Sequence, residues 1–398
     1  MKITRLETHL LTADWTGTDP YWDGGSHKST ALVRVITDDG LTGIGESLLG
    51  YFLPEAVPTF VDYFAPLLIG EDPRDTEALW ERMYKSSFYW GRKGAGLAVL
   101  SAIDLALWDI KAQAADVPLY RLLGGLARDR ILVYASGGGS MPTLDKTVQK
   151  VQTYAGLGYC AAKIAIASGA HRTYDDRMGN TYGRVPTSQL ADMAGEKFRV
   201  LREAMGPEFE LMTQSAGMVP FSLREAVRMA EAIAPYGLLF YEEPMVYENL
   251  SGFVNLRNVT RVAIAGGESL SGLNEFESLL AAGAVDIVQP DVTYCGGITA
   301  ALRIIAVARA HHARVAFHLG GSFGPGFAAS LHLSLATKDA VILERVPATA
   351  QVQADLCAWP LELVDGRFAA PPVNGLGVEL TDEHLRRYRF VPGTGERN

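Results

Sequence analysis

Residues 209–344 contain six apolar runs that each end on a polar residue able to do chemistry: FELMTQ (209–214), LLFYE (238–242), VAIAGGE (262–268), VDIVQPD (285–291), RVAFH (314–318) and VILE (341–344). A short apolar run bounded by turn residues is typical of a β-strand buried on both faces. Because helix-sized segments separate the runs, the pattern predicts a βα barrel. Polar side chains at the carboxyl ends of barrel strands converge on one mouth, where barrel enzymes hold their active sites. The runs therefore predict one site made of Gln214, Glu242, Glu268, Asp291, His318 and Glu344.

The size, charge and cysteine content of the chain narrow its class. Its 398 residues suffice for two domains, and 48% hydrophobic residues support a large core. A net charge of −9 argues against nucleic acid or an anionic membrane surface as partner, but it allows a small carboxylate substrate. No stretch reaches the ~18 apolar residues of a membrane span. Because three scattered cysteines also favour a reducing compartment, we expect a soluble, cytoplasmic protein.

The first 125 residues predict a small α+β domain. Residues 1–50 alternate in the manner of strands, and the turn signal DDG (38–40) lies between two of them. From about residue 55 to 125, apolar residues recur at three- and four-residue spacing, which is typical of helices. The C-terminal segment, about 370–398, is expected to pack against this domain and complete it.

Residues 126–369 predict the barrel domain, so the fold class is α/β. ILVYAS (131–136) and GYCAAKIAIA (158–167) supply the first two strands, and the six runs supply the others. Between the second and third strands lies the polar, glycine-rich segment SGAHRTYDDRMGNTYGRVPTSQ (168–189). A long polar segment at this place predicts an extended loop over the barrel mouth.

Six motifs, in this order and spacing, resemble the mandelate racemase subgroup of the enolase superfamily: DGLTGIGE (39–46), SAIDLALWDIKAQAADVPLYRLLGG (101–125), YEEP (241–244), GGES (266–269), QPD followed by GGI (289–298) and GLGVEL (375–380). The resemblance covers nearly the whole chain. It implies a (β/α)₇β modified TIM barrel with an N-terminal α+β capping domain. It further implies a homo-oligomer (a dimer or octamer), a divalent metal, usually Mg²⁺, and abstraction of a proton next to a carboxylate.

The resemblance assigns the metal ligands one residue at a time. Glu242 of YEEP matches the second ligand, and Glu268 of GGES matches the third. Gln214 stands where the first ligand is normally Asp, and Ala216 stands where Asn or His is common. Mg²⁺ prefers hard oxygen ligands, and a glutamine offers a carbonyl oxygen without charge. We therefore expect a metal site that is weaker than usual or filled only with substrate bound; alternatively, the Gln214 amide donates to the substrate and no metal binds.

The resemblance also places the acid–base groups. His318 and Asp291 match a His–Asp dyad, and Glu344 matches an acid that hydrogen-bonds the substrate carboxylate, provided that it stays protonated in the closed site. Family members often carry Lys-x-Lys on the second strand, where the second lysine is a base. Here Lys163 and Ala165 occupy those positions, so that base is absent.

One base favours dehydration over racemisation. Racemisation needs an acid and a base on opposite faces of the substrate carbon, whereas a syn elimination needs a base on one face. The leading hypothesis is therefore a hydro-lyase that dehydrates an acid sugar, in which His318 removes the α-proton and helps the β-hydroxyl to leave.

Two other hypotheses remain open. Some mannonate dehydratases of this superfamily use an Arg–Tyr pair; Lys163 stands at the position of that Arg, and Tyr174 or Tyr182 could supply the phenol. The other hypothesis is a divergent protein that kept the fold and lost enolisation, and that binds a carboxylate ligand or catalyses a metal-independent step. Tight Mg²⁺ binding would favour an enzyme of the usual type, and no binding would favour the divergent protein.

The N-terminal loop DWTGTDPYWDGGSHK (14–28) is the predicted specificity element. In the family that it resembles, the corresponding loop closes over the substrate. Trp22 and His27, together with Lys163 at the barrel mouth, are therefore candidate substrate-binding residues. Packing of the aromatic side chains within the loop is an alternative role.

Overall fold

The computed structural model describes residues 1–17, 19, 21, 27–137, 143–166, 172–175, 180–183, 187–215 and 221–396. Its strands are β1 (Ile3–Asp14), β2 (His27–Thr37), β3 (Thr42–Ser47), β4 (Arg130–Ser136), β5 (Ala161–Ala165), β6 (Arg172–Asp175), β7 (Asn180–Gly183), β8 (Glu210–Gln214), β9 (Tyr241–Glu242), β10 (Ile264–Gly266), β11 (Ile287–Val288), β12 (Arg314–Val315), β13 (Leu343–Arg345) and β14 (Arg367–Ala369).

Its α-helices are α1 (Leu49–Phe52), α2 (Val57–Leu68), α3 (Thr76–Ser86), α4 (Ala95–Ala114), α5 (Leu119–Leu122), α6 (Leu144–Gly156), α7 (Thr187–Met205), α8 (Leu223–Ile233), α9 (Leu250–Val259), α10 (Leu273–Ala281), α11 (Gly297–Ala310), α12 (Pro325–Ala336), α13 (Ala350–Leu356) and α14 (Asp382–Arg387). Among the described residues, none of these helices combines the length and the apolar character that a membrane crossing requires.

Eight parallel strands form a closed ring. Their order is β12-β11-β10-β9-β8-β5-β4-β13, and each neighbouring pair is parallel. A parallel bridge between Val315 of β12 and Ala340, just before β13, joins the two ends. One of the helices α6 to α12 follows each of the first seven ring strands. The predicted (β/α)₇β barrel is therefore confirmed.

The N-terminal sheet lies closely against helix α4. Strands β1, β2 and β3 pair antiparallel in this order, and the DDG turn joins the second to the third. A Cβ added to Gly45 would lie 1.7 Å from the backbone oxygen of Ala102 in α4. Only glycine allows so close an approach of strand to helix. The predicted N-terminal α+β domain is thus a sheet covered by a helix.

The C-terminal segment returns to the N-terminal sheet. The Thr12 N–H donates to the Tyr388 carbonyl at 3.0 Å, and the Asp109 carboxylate of α4 accepts from the Leu376 N–H at 2.8 Å. Such bonds are expected if the C-terminal segment completes the N-terminal domain. The domain boundaries at 125 and 369 stay a prediction.

The segment predicted as an extended loop contains a short hairpin. Within 168–189, β6 pairs antiparallel with β7, and the pairs run from Arg172 opposite Gly183 to Asp175 opposite Asn180. Threonine and tyrosine, which favour strands, occupy the middle of both. The prediction of a loop therefore missed local strand propensity.

One buried carboxylate ties the N-terminal sheet to the barrel. Glu46 of β3, only 2% exposed, accepts from Thr30 Oγ1 at 2.7 Å and Ser322 Oγ at 2.5 Å. It also accepts from the backbone N–H groups of Phe323 at 2.8 Å and Gly326 at 3.1 Å. The last two lie at the start of α12, where a negative charge favours the helix dipole. Glu46 therefore fixes the segment that links His318 to α12.

A buried histidine should make stability depend on pH. His332 of α12 is fully buried, and its Nδ1 accepts from the Tyr120 N–H at 3.2 Å. Burial lowers its pKa to about 4 from 6.5. Between pH 4 and 6.5 the unfolded chain therefore binds more protons than the folded chain. The contribution of His332 to stability is complete above about pH 6.5 and is lost as the pH falls towards 4.

Between pH 6.5 and 4, the free energy of unfolding should fall by about 3 kcal/mol less in His332→Asn than in the wild type; the figure follows from the pKa difference. Urea unfolding at several pH values measures it. His311→Asn, a change at an exposed position, is the matched control and should retain the wild-type slope. Equal slopes in wild type and His332→Asn would contradict the assignment.

Candidate active site

An apolar plug fills the barrel and forms the floor of the site. It consists of one buried residue from each strand of the ring or its flanks: Tyr134, Ala161, Met212, Phe240, Ala265, Ile287, Ala316 and Ile342. Side chains alternate along a strand, so the residue two positions further on faces the interior again. These residues form a second layer, on the carboxyl side of the plug: Ser136, Lys163, Gln214, Glu242, Gly267, Gln289, His318 and Glu344.

This second layer is polar, and a cavity opens above it. The cavity has a volume of about 1170 Å³ and is lined by Lys163, Gln214, Glu268, His318 and Glu344 among others. Four of the six strand-end residues thus line one mouth, as the pattern indicated. The other two, Glu242 and Asp291, contact the lining residues Lys163 and His318.

His318 and Asp291 form the predicted dyad. His318 Nδ1 lies 2.8 Å from Asp291 Oδ2, and its Nε2 lies 3.4 Å from Glu268 Oε2. Asp291 is held in turn by Thr293, whose N–H and hydroxyl donate to Oδ1 at 2.7 and 2.5 Å. These bonds fix the imidazole so that Nε2 faces the cavity side of the dyad, where Glu268 lies.

The surrounding carboxylates determine the protonation of His318. Burial opposes the charged imidazolium, but Glu268, Glu344 and Asp291 outweigh burial and raise its pKa to about 10. His318 is therefore an imidazolium at neutral pH. It can give a proton as it stands, and it accepts one only after it has lost its own.

Lys163 is the centre of a buried charge network. Its Nζ lies 2.5 Å from Glu242 Oε1 and 3.0 Å from Glu344 Oε1. Burial alone would lower the pKa of Lys163, but the charges of Glu242 and Glu344 outweigh burial and raise it. Lys163 is therefore an ammonium ion that lines the cavity.

Glu344 is a carboxylate in this network. Its Oε2 accepts from the Leu319 N–H at 3.0 Å. Burial would raise its pKa, but the charges of Lys163 and His318 outweigh burial and lower it to about 2. The charges around Glu344 therefore oppose the protonated form that the sequence interpretation required.

Glu243 supports the neighbouring turn. It has a left-handed backbone (φ 43°), is 2% exposed, and accepts from the Tyr247 hydroxyl at 2.5 Å. The same hydroxyl accepts from the Gly267 N–H. Because Gly267 directly precedes Glu268, this chain of bonds positions Glu268 at the mouth.

The predicted metal ligands form an incomplete donor set. Both oxygens of Glu242 already have donors, since Gln289 Nε2 donates to Oε2 at 2.5 Å and Lys163 donates to Oε1. Gln214 carries no charge, and Glu268 lies beside His318. In the described ranges, no three His, Cys, Asp or Glu residues are grouped so that they could hold a metal ion. Since Mg²⁺ requires several free oxygen ligands, the residues do not fit it in this arrangement.

Several predicted residues remain without a described side chain. Trp22 and Ala216 lie outside the described residues, and for Tyr174 and Tyr182 only the backbone, in β6 and β7, is described. His27 begins β2 and is exposed, and the described cavity lining does not include it. Their proposed roles stay predictions.

The sequence interpretation missed part of the site. Gln289 orients Glu242; it directly follows strand β11 and stands two residues before Asp291 in QPD. Leu48 and Tyr51, which the sequence interpretation did not identify, form an apolar wall of the cavity together with Trp15 of the predicted specificity loop. A Cβ on Gly320 would lie 2.8 Å from Leu48 and 3.2 Å from the His318 ring, so this wall closely approaches the dyad.

The barrel and its N-terminal domain match a known class of two-domain barrel proteins. The family described as "Enolase C-terminal domain-like" matches residues 146–384, and "Mandelate racemase / muconate lactonizing enzyme, N-terminal domain" matches residues 23–124. The chain belongs to the enolase superfamily, in the mandelate racemase/muconate lactonizing enzyme group. The predicted resemblance is therefore confirmed.

Named relatives align with nearly the whole chain. D-galactonate dehydratase from Xanthomonas oryzae pv. oryzae (strain PXO99A) is 32% identical over 98% of this chain and 95% of that protein. D-gluconate dehydratase from Thermoproteus tenax is 32% identical over 94% of this chain and 72% of that protein.

Solved structures also resemble the chain. The 3,6-anhydro-D-galactonate cycloisomerase from Zobellia galactanivorans superposes with a TM-score of 0.81 at 27% identity and covers 98% of this chain and 99% of that chain. An enolase from Agrobacterium radiobacter, bound to Na and L-malate, superposes with a TM-score of 0.84 at 29% identity and covers 98% of this chain and 96% of that chain.

Proposed function

We propose that this chain is a hydro-lyase that dehydrates an acid sugar, with His318 as the proton-transfer group. The observation that carries the proposal is the dyad of His318 and Asp291, 2.8 Å apart at the mouth of the barrel. The dehydratase names of two relatives support the reaction type. They favour an enzyme over a divergent ligand-binding protein.

The proposed reaction is a syn elimination. The imidazole form of His318 accepts the α-proton, and the electron pair of the C–H bond moves towards the substrate carboxylate to give an enediolate. The pair then returns to form the Cα–Cβ double bond as the Cβ–O bond breaks. The leaving hydroxyl takes the proton from His318 and departs as water. The resulting enol tautomerises to a 2-keto-3-deoxy acid, so atoms and charge balance without a redox partner.

Other groups orient the substrate in this proposal. The ammonium of Lys163 pairs with the substrate carboxylate, and Glu344 holds Lys163 in place. The assignment of Mg²⁺ to Gln214, Glu242 and Glu268 rests on the family resemblance. The metal assignment is weakened by the structure, because both oxygens of Glu242 already accept hydrogen bonds. Tyr174 stays a second candidate acid–base group. Full turnover in both Tyr174→Phe and Tyr182→Phe would rule out the mechanism that uses a tyrosine.

The assembly and location also belong to the proposal. The resemblance supports a homo-oligomer, either a dimer or an octamer, and light scattering coupled to gel filtration measures it. The composition supports a cytoplasmic setting. Neither follows from the dyad, and either could fail without affecting the proposed reaction.

Incubation with a panel of aldonic and aldaric acids tests the reaction. At least one acid, with D-galactonate and D-gluconate in the panel, should yield a 2-keto-3-deoxy acid that semicarbazide detects. Each acid is tested with Mg²⁺ and with EDTA, and circular dichroism verifies the fold. A folded protein that forms no keto acid under either condition would overturn the proposed function.

A further inference from the structure

Lys163 occupies the centre of the polar layer at the bottom of the cavity. It is 2% exposed, and its Nζ lies 5.5 Å from the centre of the Tyr134 ring in the plug below. Glu242 and Glu344, 0% and 1% exposed, bind it from two sides. An ammonium that two buried carboxylates bind is held in a fixed position, and here it borders the substrate cavity.

The same ammonium excludes a second cation from Glu242. Glu242 Oε1 is bound by Lys163 and Oε2 by Gln289, both at 2.5 Å. A divalent ion could reach this carboxylate only by displacing these donors, because both of its oxygens are already bound. Gln214, which also lines the cavity, adds an oxygen ligand but no negative charge.

The geometry points to Lys163 as the resident electrophile of this site, in place of a divalent metal ion. This inference rests on the proposed function and specifies how the negative charge of the enediolate is stabilised. An ammonium has three N–H donors. Described residues accept two of them, Glu242 and Glu344, and the third is left for an oxygen of the substrate carboxylate. The charge is held in position before substrate arrives, which is the arrangement that stabilises a developing anion.

Metal binding and metal dependence test the inference separately. Mn²⁺ is titrated into the wild type and followed by electron paramagnetic resonance, which reports bound metal without turnover. We expect no bound Mn²⁺ at concentrations up to about 1 mM, at which an intact oxygen-ligand site of ordinary affinity would be filled. Turnover of an acid from the panel should be the same with EDTA and with added Mg²⁺.

A double variant identifies the residues that exclude the metal. Gln214→Asp with Lys163→Met adds a carboxylate and removes the competing ammonium, so it should bind Mn²⁺ at least tenfold more tightly than the wild type. Gln149→Asp makes the same glutamine-to-aspartate change on the exposed face of α6 and should bind as the wild type does. If the double variant binds no more Mn²⁺ than Gln149→Asp, the exclusion by Lys163 and Gln214 is wrong.

Two wild-type results would overturn the inference. One is Mn²⁺ binding below millimolar concentration, and the other is turnover that EDTA abolishes and Mg²⁺ restores. The second result would leave the proposed dehydration intact. A lack of turnover under every condition would instead overturn the proposed function, and the Mn²⁺ titration would still decide between an ammonium and a metal at the base of the cavity.

Discussion

His318→Asn should lower kcat for the dehydrated acid by about 10²–10⁴-fold, the usual contribution of a positioned acid–base group. Asparagine preserves a polar side chain of similar reach but cannot exchange a proton with the substrate. The fold should survive, because Asp291 keeps its donors from Thr293 and from the Gly320 N–H. Steady-state kinetics measures the loss.

A second readout separates proton transfer from binding. Wild-type enzyme in D₂O should place deuterium at the α-carbon of recovered substrate if enolisation reverses before water leaves, and His318→Asn should not. His311→Asn, at an exposed position at the end of α11, is the matched control and should keep wild-type kcat. If His318→Asn retains turnover within tenfold of wild type, another residue is the base.

Lys163→Met should have the second largest effect, with loss of both turnover and stability. Removing the ammonium leaves Glu242 and Glu344 buried without a counter-charge, which costs about 3–5 kcal/mol in the free energy of unfolding. Loss of the charge that faces the substrate should lower kcat by about 10²–10³-fold, as does removal of one preorganised donor to a developing anion. Urea unfolding and kinetics measure the two losses.

Because the single variant mixes two effects, a compensated variant is needed. Lys163→Met with Glu242→Gln removes one charge of each sign and should recover most of the lost stability, but none of the lost turnover. Lys338→Met, at an exposed position after α12, controls for the loss of a lysine. Wild-type kcat in the compensated variant would show that Lys163 has only a structural role.

The barrel and the site could be predicted because they follow from local patterns. Each strand is a short apolar run, and each ends on a polar residue that the parallel order brings to one rim. Glu242, His318 and Glu344 were therefore found by position alone, and the structure places them in one layer. The two-residue spacing from Phe240, Ala316 and Ile342 explains this layer.

The pairings within the layer could not be predicted from the sequence. Lys163 was identified as a strand residue near the mouth, but strand order does not show which carboxylates a long side chain will reach. Its contact with Glu242 spans 79 residues of sequence. The state of Glu344 depends on its own contact with Lys163, since the charge of the lysine lowers the pKa of Glu344. The pairings depend on distances between side chains in the folded chain, and the pattern of apolar residues does not contain those distances.

The bond network of Glu46 has a consequence for how this architecture evolves. The segment after His318 is held by a side chain from the N-terminal sheet. The two halves are therefore not interchangeable modules, and a chimera would inherit a misaligned imidazole unless the incoming half supplied an equivalent carboxylate. We therefore expect recombination between relatives to be restricted at this contact.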